Sequence, residues 1–522
     1  MNYLKEQWRQ DKLRCALAVC WLLTVAVSFF TAYLFPIEVP GIGTWYAFRT
    51  MLPLTAVLYV ICAVREKRFF WKDSTVLEKW CYVFIAVMLL NGVASLLRAL
   101  DFFWTFRRLF NLCFDMCFFF LMLRLCRNKD LRKLTLAVCF IMWVAVILMG
   151  IYEVFNGGIV EFRYNSAYYQ DFTWFLSHFQ YPVVFFGNTN DYALLLTFFY
   201  AVLLLIAWQQ PRIPQWVTVI LTATTYFLLL ATGSRLSICA FYILLAAQIL
   251  CTLLRRKKTA RRTAATMILC VFCILFCNQY QFIIPPIERY LDQRAEYRQT
   301  VKEAEENVQQ GDAPADEQQE GETCGEQQET PVDIEKPELQ IGDPQKVSLS
   351  GQFFETDEET GEKVLRSDGS AGVRTRLLLH AWDCFRKSYG LGVGLGNTEV
   401  LAARCSIVPE WANCPQNSIH CFLARIIADY GIFILIPLCA IALLLLKTLI
   451  VSAFAAQKRK DRRSSTYALL FFAVLLIYPL VSTTSSDAQD NIPMWIYLAA
   501  VILLAVEMMQ EQKNTPAPAC VP

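Results

Sequence analysis

Histidine is nearly missing from this chain: three residues in 522. Twenty cysteines therefore have no partners for a Cys/His metal site, and no CxxC pair reads as one. Charge is scarce as well, 18% against 56% hydrophobic, which excludes a soluble enzyme carrying a membrane anchor. No Asp-x-Asp pattern stands in the segments expected outside the membrane, so no metal and no cofactor are expected. A cleavable leader is not expected either, because the first apolar run is too long and no small-residue cleavage site follows it.

What is present is a series of Phe- and Leu-rich runs, each of a length that crosses a bilayer once. Roughly twelve are countable, at 15–35, 43–63, 80–97, 109–125, 134–154, 190–208, 215–232, 236–254, 264–284, 430–447, 466–483 and 493–509. Open sheet edges are not tolerated in hydrocarbon, so the runs predict helices and an all-α integral membrane protein. Basic clusters follow every second run: Lys5 to Arg14, "REKR" at 65–68, "RNKDLRK" at 127–133, "RRKKTARR" at 255–262 and "KRKDRR" at 458–463. An N-in, C-in arrangement puts every one of them in the cytoplasm, which also removes the need for a nucleic-acid partner. Most cysteines lie inside the runs, where they pack as small hydrophobes.

The chain divides into runs one to nine (1–284), a long exterior segment (285–417) and runs ten to twelve (418–522). Within the exterior segment, 300–345 is rich in Glu, Gln, Pro and Gly and predicts disorder. Residues 372–397 predict an amphipathic helix, with Val373, Leu377, Ala381, Cys384 and Phe385 on one face, ended by glycines. Cys405 and Cys414 flank "SIVPEWAN", and sequence leaves their pairing open. An aromatic stretch over 155–189 fits either a headgroup belt or a sugar-stacking platform.

Four features carry candidate chemistry. Arg235, in "TGSR", sits where two runs join without room for a loop; it reads as a snorkelling anchor or as a clamp for phosphate oxygens. Arg374 and Arg376 lie on the amphipathic helix, on a solvated face or toward a site. The loop "GLGVGLGN" at 390–397 meets no nucleotide fingerprint, but its backbone could turn tightly and offer N–H groups to an anion. His420 follows the polar approach "CPQNS", which holds Gln416 and Asn417, and precedes the tenth run. It is either a structural ring bonded to a carbonyl or a proton-exchanging group near neutrality.

The chain resembles the O-antigen ligase and polymerase superfamily of bacterial envelope glycan proteins, nearest its teichuronic acid polymerase-like Gram-positive branch. The resemblance rests on "FFGNTNDYA" at 185–193 with Asn188 and Asn190, on "TGSR" at 232–235, on Arg374 with Leu378, and on "GVGLGN" at 392–397 with Gly394, Gly396 and Asn397. It rests also on His420 followed at the family's spacing by Gly431, although Cys421 stands where the family has a polar residue and Ile434 where it has a glycine-like one. The resemblance implies transfer of a glycan from undecaprenyl diphosphate to an acceptor hydroxyl, at the outer face of a bacterial cytoplasmic membrane. Arg235 and Arg374 would hold the diphosphate, with Arg376 as a substitute, and His420 would take the proton from the attacking hydroxyl. Implied partners are the undecaprenyl-diphosphate-linked oligosaccharide, an acceptor glycan and membrane lipids. A transporter or flippase of lipid-linked sugars is the competing class; it expects charge deep in matching broken helices.

Overall fold

The computed structural model describes residues 2–30, 34–40, 43–67, 71–156, 182–186, 189–209, 214–254, 258–278, 354–356, 363–365, 370–404, 419, 421–458, 462–483 and 491–514. Asn188, Gln416, Asn417, His420, Cys405, Cys414, the 300–345 segment and most of the 155–189 stretch lie outside the described residues.

Helices fill the body: α1 (Asn2–Gln10), α2 (Lys12–Ser28), α3 (Ala47–Arg65), α4 (Val76–Leu96), α5 (Phe102–Leu125), α6 (Lys129–Asn156), α7 (Thr189–Gln209), α8 (Gln215–Thr232), α9 (Arg235–Leu254) and α10 (Lys258–Asn278). After the long insert come α11 (Ser370–Lys387), α12 (Asn397–Arg404), α13 (Phe422–Tyr430), α14 (Ile432–Lys458), α15 (Arg462–Val481) and α16 (Ile492–Asn514). Two antiparallel hairpins accompany them: β1 (Ile37–Val39) with β2 (Gly43–Trp45), and β3 (Phe354–Thr356) with β4 (Lys363–Leu365). The chain forms two compact units, one of residues 1–275 with 367–522 and one of residues 276–366.

Helices make up most of each apolar run among the described residues, and eight of these helices are long and apolar enough to cross a membrane. The rest fall short for visible reasons. Helix α2 has 17 residues, the apolar parts of α8 and α10 are short, and α5 carries Arg107, Arg108, Asp115 and Arg124. Capping sets several starts. Thr75 and Glu78 form a capping box at α4, and Asp101 accepts from the Trp104 N–H (2.9 Å) at α5.

Helices α7 and α16 are the centre, with 72% and 83% of their apolar windows buried, against 28% for the peripheral α3 and α14. An aromatic stack joins them to the later helices. Phe198 of α7 lies 4.1 Å from Tyr497 of α16, ring centre to ring centre. Phe422, at the start of α13, meets Tyr478 at 6.2 Å and Trp495 at 6.0 Å. Two charges within the runs are bonded: Arg49 donates to Asn111 Oδ1 (2.6 Å) and the Thr44 carbonyl (2.7 Å). Glu153 accepts the N–H groups of Val183 and Val184, both at 2.9 Å, and so fixes the turn that leads into α7.

A break at Gly431 separates α13 from α14, the helix of the tenth apolar run. Helix α13 ends at Gly431, whose φ of 67° is open to glycine and strained for other residues. Gly392 (φ 83°) packs directly against this break. A Cβ on Gly431 would overlap the Leu391 carbonyl, and one on Gly392 would stand 2.5 Å from the Asp429 carbonyl oxygen. Gly390 (φ 77°) has ordinary space, with Phe385 at 3.5 Å. Gly390→Ala should therefore cost only left-handed strain, about 1 kcal/mol. Gly392→Ala and Gly431→Ala should each cost that plus a backbone clash, at least about 2 kcal/mol. Thermal unfolding of the detergent-solubilised variants checks the ranking, and three equal losses would refute the close backbone packing.

Candidate functional site

The "GLGVGLGN" loop and α13 lie backbone to backbone. Val393 N–H donates to the Ala428 carbonyl (2.9 Å), Gly394 N–H to the Asp429 carbonyl (3.0 Å), and Ile432 N–H to the Gly390 carbonyl (2.8 Å). The remaining amides are also engaged: Gly392 with Ser388 Oγ (3.0 Å), Leu395 with Ser95 Oγ (2.8 Å) and Gly396 with Asp429 Oδ2 (3.5 Å). This corrects the reading of the loop as an anion cradle. Its N–H groups serve protein acceptors, and the glycines are there for close approach. Asn397 is likewise committed to the fold. Its Oδ1 accepts from Leu100 N–H (3.0 Å), and its Nδ2 donates to the carbonyls of Arg98 (3.0 Å) and Val393 (2.8 Å).

Beneath the loop is a buried ionic cluster built from α5, α12 and α13. Glu399 accepts from Arg108 through both oxygens (2.8 and 3.0 Å) and from Trp104 Nε1 (2.9 Å). Arg425 Nη2 lies 3.2 Å from the same carboxylate, and its Nε is 3.7 Å from Asp429 Oδ2. Asp429 also accepts from the Thr398 hydroxyl. No side chain of the four charged groups exceeds 6% exposure, so the two positive and two negative charges must satisfy one another. None of these four charged residues is assigned a role in the sequence analysis. Opposite charges at i and i+4 inside an apolar helix were the available signal.

Helix α11 docks on this assembly through small side chains. Ala381 and Cys384 form a buried cluster with Ile419 and Ala428, and Cys421 packs at its edge. That explains why a thiol replaces a polar residue after His420: the position faces an apolar cluster. Ile434 is fully buried, also in packing. His380 ties α11 to α12 through the Thr398 carbonyl (3.0 Å). Arg374 is half-buried, and burial lowers its guanidinium pKa. Arg376 is two residues further on, roughly 200° around the helix, and its Nε is shielded from solvent.

Arg235 is exposed as the first residue of α9, after the left-handed cap Gly233 (φ 66°). Its level can be read from packing. Cys251 of α9 reaches the Thr466 carbonyl of α15 (3.2 Å), so the end of one helix meets the start of the other. Sixteen residues lead back from Cys251 to Arg235 and sixteen lead on from Thr466 to Ser482, each about 24 Å of helix. Ser482 is where α13 begins, since its carbonyl accepts from Phe422 N–H (3.4 Å). Arg235 thus stands at the same end of the bundle as the start of α13. Asn190 is half-buried in the first turn of α7, a neighbour of α9 and α15.

Two comparisons with known proteins bear on the chain's family. Residues 217–439 match the O-antigen ligase family. The teichuronic acid biosynthesis protein TuaE of Bacillus subtilis (strain 168) is 21% identical over 515 residues, covering 97% of this chain and 87% of that one.

Glu399→Gln leaves two buried guanidiniums facing a neutral amide and should destabilise the protein by about 3–5 kcal/mol, read as a lower unfolding temperature. Wild-type stability in that variant would show that the cluster holds nothing together. Burial also pushes the Asp429 carboxyl up from 3.8 to about 6, against the pull of Arg425 and Thr398. The folded state then binds a proton that the unfolded state releases. The contribution of Asp429 to stability therefore falls as pH rises from about 4 through 6, and Asp429→Asn should flatten that part of the stability profile.

Proposed function

We propose that this chain, whose residues 217–439 match the O-antigen ligase family, moves a glycan from undecaprenyl diphosphate to an acceptor hydroxyl at the outer face of the cytoplasmic membrane. It is a multi-pass membrane protein of cell-surface polysaccharide biosynthesis, a ligase or polymerase. The observation that carries the finer reading is the shared level of Arg235 and the start of α13. Two residues upstream of α13, His420 completes the sequence pattern of a proton-handling group beside a cation.

The leaving group is a lipid diphosphate, so the barrier falls when charge building on its oxygens is neutralised. Arg235 and Arg374 do this in the proposal, with Arg376 as a substitute. A guanidinium whose pKa burial lowers, as at Arg374, gains from an anion that restores favourable surroundings. His420 takes the proton from the attacking hydroxyl as the bond from the anomeric carbon to the diphosphate oxygen breaks. Guanidinium groups replace a metal electrostatically, so turnover is expected to survive a chelator. The strap of Gly392 to Gly396 and the cluster around Glu399 support the site by holding α11 and α13 in register, without touching substrate.

The test is incubation of the purified protein with a lipid-diphosphate oligosaccharide and separation of products on a gel. A ladder identifies a polymerase and a single shifted band a ligase; unchanged substrate moved between leaflets would refute both. His420→Ala should lower turnover about 10²–10⁴-fold while lipid binding persists. Arg374→Ala should weaken donor binding and turnover together. Wild-type rates in the His420 variant would remove the histidine from the mechanism.

A further inference from the structure

A polar cavity lies at the other end of the same bundle, among the basic clusters, and the glycan-transfer reading does not use it. Its volume is about 200 Å³, far above the roughly 15 Å³ that one water needs. Helix α1 roofs it with Tyr3 and Gln7, which share a face at i and i+4. Below them stand Arg14 of α2, Tyr59 and Glu66 of α3, and Arg124 near the end of α5.

The balance of groups selects an anion. Glu66 is the one carboxylate in the lining, and it is already bonded to Arg14 Nε at 2.6 Å. Arg124 donates to the hydroxyls of Tyr59 (3.2 Å) and Ser74 (3.3 Å), both neutral. Arg14 also lies 3.7 Å from Asp11, which Arg65 pairs with in turn, so Arg14, Arg65 and Arg124 face Asp11 and Glu66 and leave one positive charge in excess, among hydroxyl and amide donors suited to phosphate oxygens. The inner wall is different: Leu17, Ala18, Leu125 and Leu131 are apolar. On the outside of α1, Trp8 is exposed with Lys12 Nζ 5.9 Å from its ring centre, a pairing suited to the headgroup layer.

We infer that this cavity binds a phosphate group, carried into it by an anionic phospholipid whose acyl part lies along the apolar wall. The positive-inside pattern puts it in the cytoplasmic leaflet. Binding there would tie α1 to the first helices of the bundle, and the inference stands or falls independently of glycan transfer.

The full-length protein in neutral detergent provides the test, by native mass spectrometry and thermal unfolding with phosphatidylglycerol, phosphatidylcholine or inorganic phosphate. Phosphatidylglycerol should stay bound and raise the unfolding temperature, and phosphatidylcholine should not. Arg124→Gln should weaken retention about tenfold, the loss of one charge-assisted contact. Tyr3→Phe, a milder change at the roof, should weaken it a few-fold. A shift with inorganic phosphate alone would keep the phosphate site and identify the free ion as the ligand. Equal retention of both lipids, unchanged retention in both variants, or no shift with any of the three would overturn the inference.

Discussion

One carboxylate holds the late part of the chain to the early part. Glu399 gathers Arg108 from α5 and Arg425 from α13 in a space closed to water, where neither cation would be tolerated without it. Trp104 supports the same carboxylate from the side, and its ring lies 4.8 Å beneath the Arg108 guanidinium. The glycine strap, α11, α12 and α13 pack together around these charges, with Gly396 N–H directed to Asp429 Oδ2. The aromatic stack of Phe422, Tyr478, Tyr497 and Phe198 carries the constraint into the centre of the membrane body.

This division of labour separates holding from chemistry. Groups with complete hydrogen bonding, such as Asn397 and the strap amides, cannot also greet a substrate without breaking what they make. Arg235 is exposed and Arg374 half-buried, so both can be reached from outside the packed core. A polar assembly near hydrocarbon therefore needs both kinds: some to close upon themselves, others to face a ligand.

Much of the body was legible because hydrocarbon imposes a simple rule on sequence. Apolar runs of crossing length fold as helices, and Leu377, Ala381 and Cys384 on α11 are buried as their spacing predicted. The strength of the rule also marks where it fails. Helix α5 is interrupted by Arg108, Asp115 and Arg124, whose toleration depends on partners that no local window contains. The glycine loop was read as a ligand contact because alternating glycines signal close approach without saying by what. Here the approaching group is the chain's own backbone at Asp429 and Gly431. Arg425 and Asp429 were visible as an i, i+4 pair, but the carboxylate that completes them is supplied by α12, and sequence order does not reveal that.

The separation between Arg108 and its carboxylate has a consequence in time. These two residues are 291 positions apart, and at about 5–20 residues per second a ribosome takes roughly 15–60 s to travel from one to the other. Throughout that interval the first cation lacks its final counter-ion. A slow ribosome between the two codons lengthens the wait.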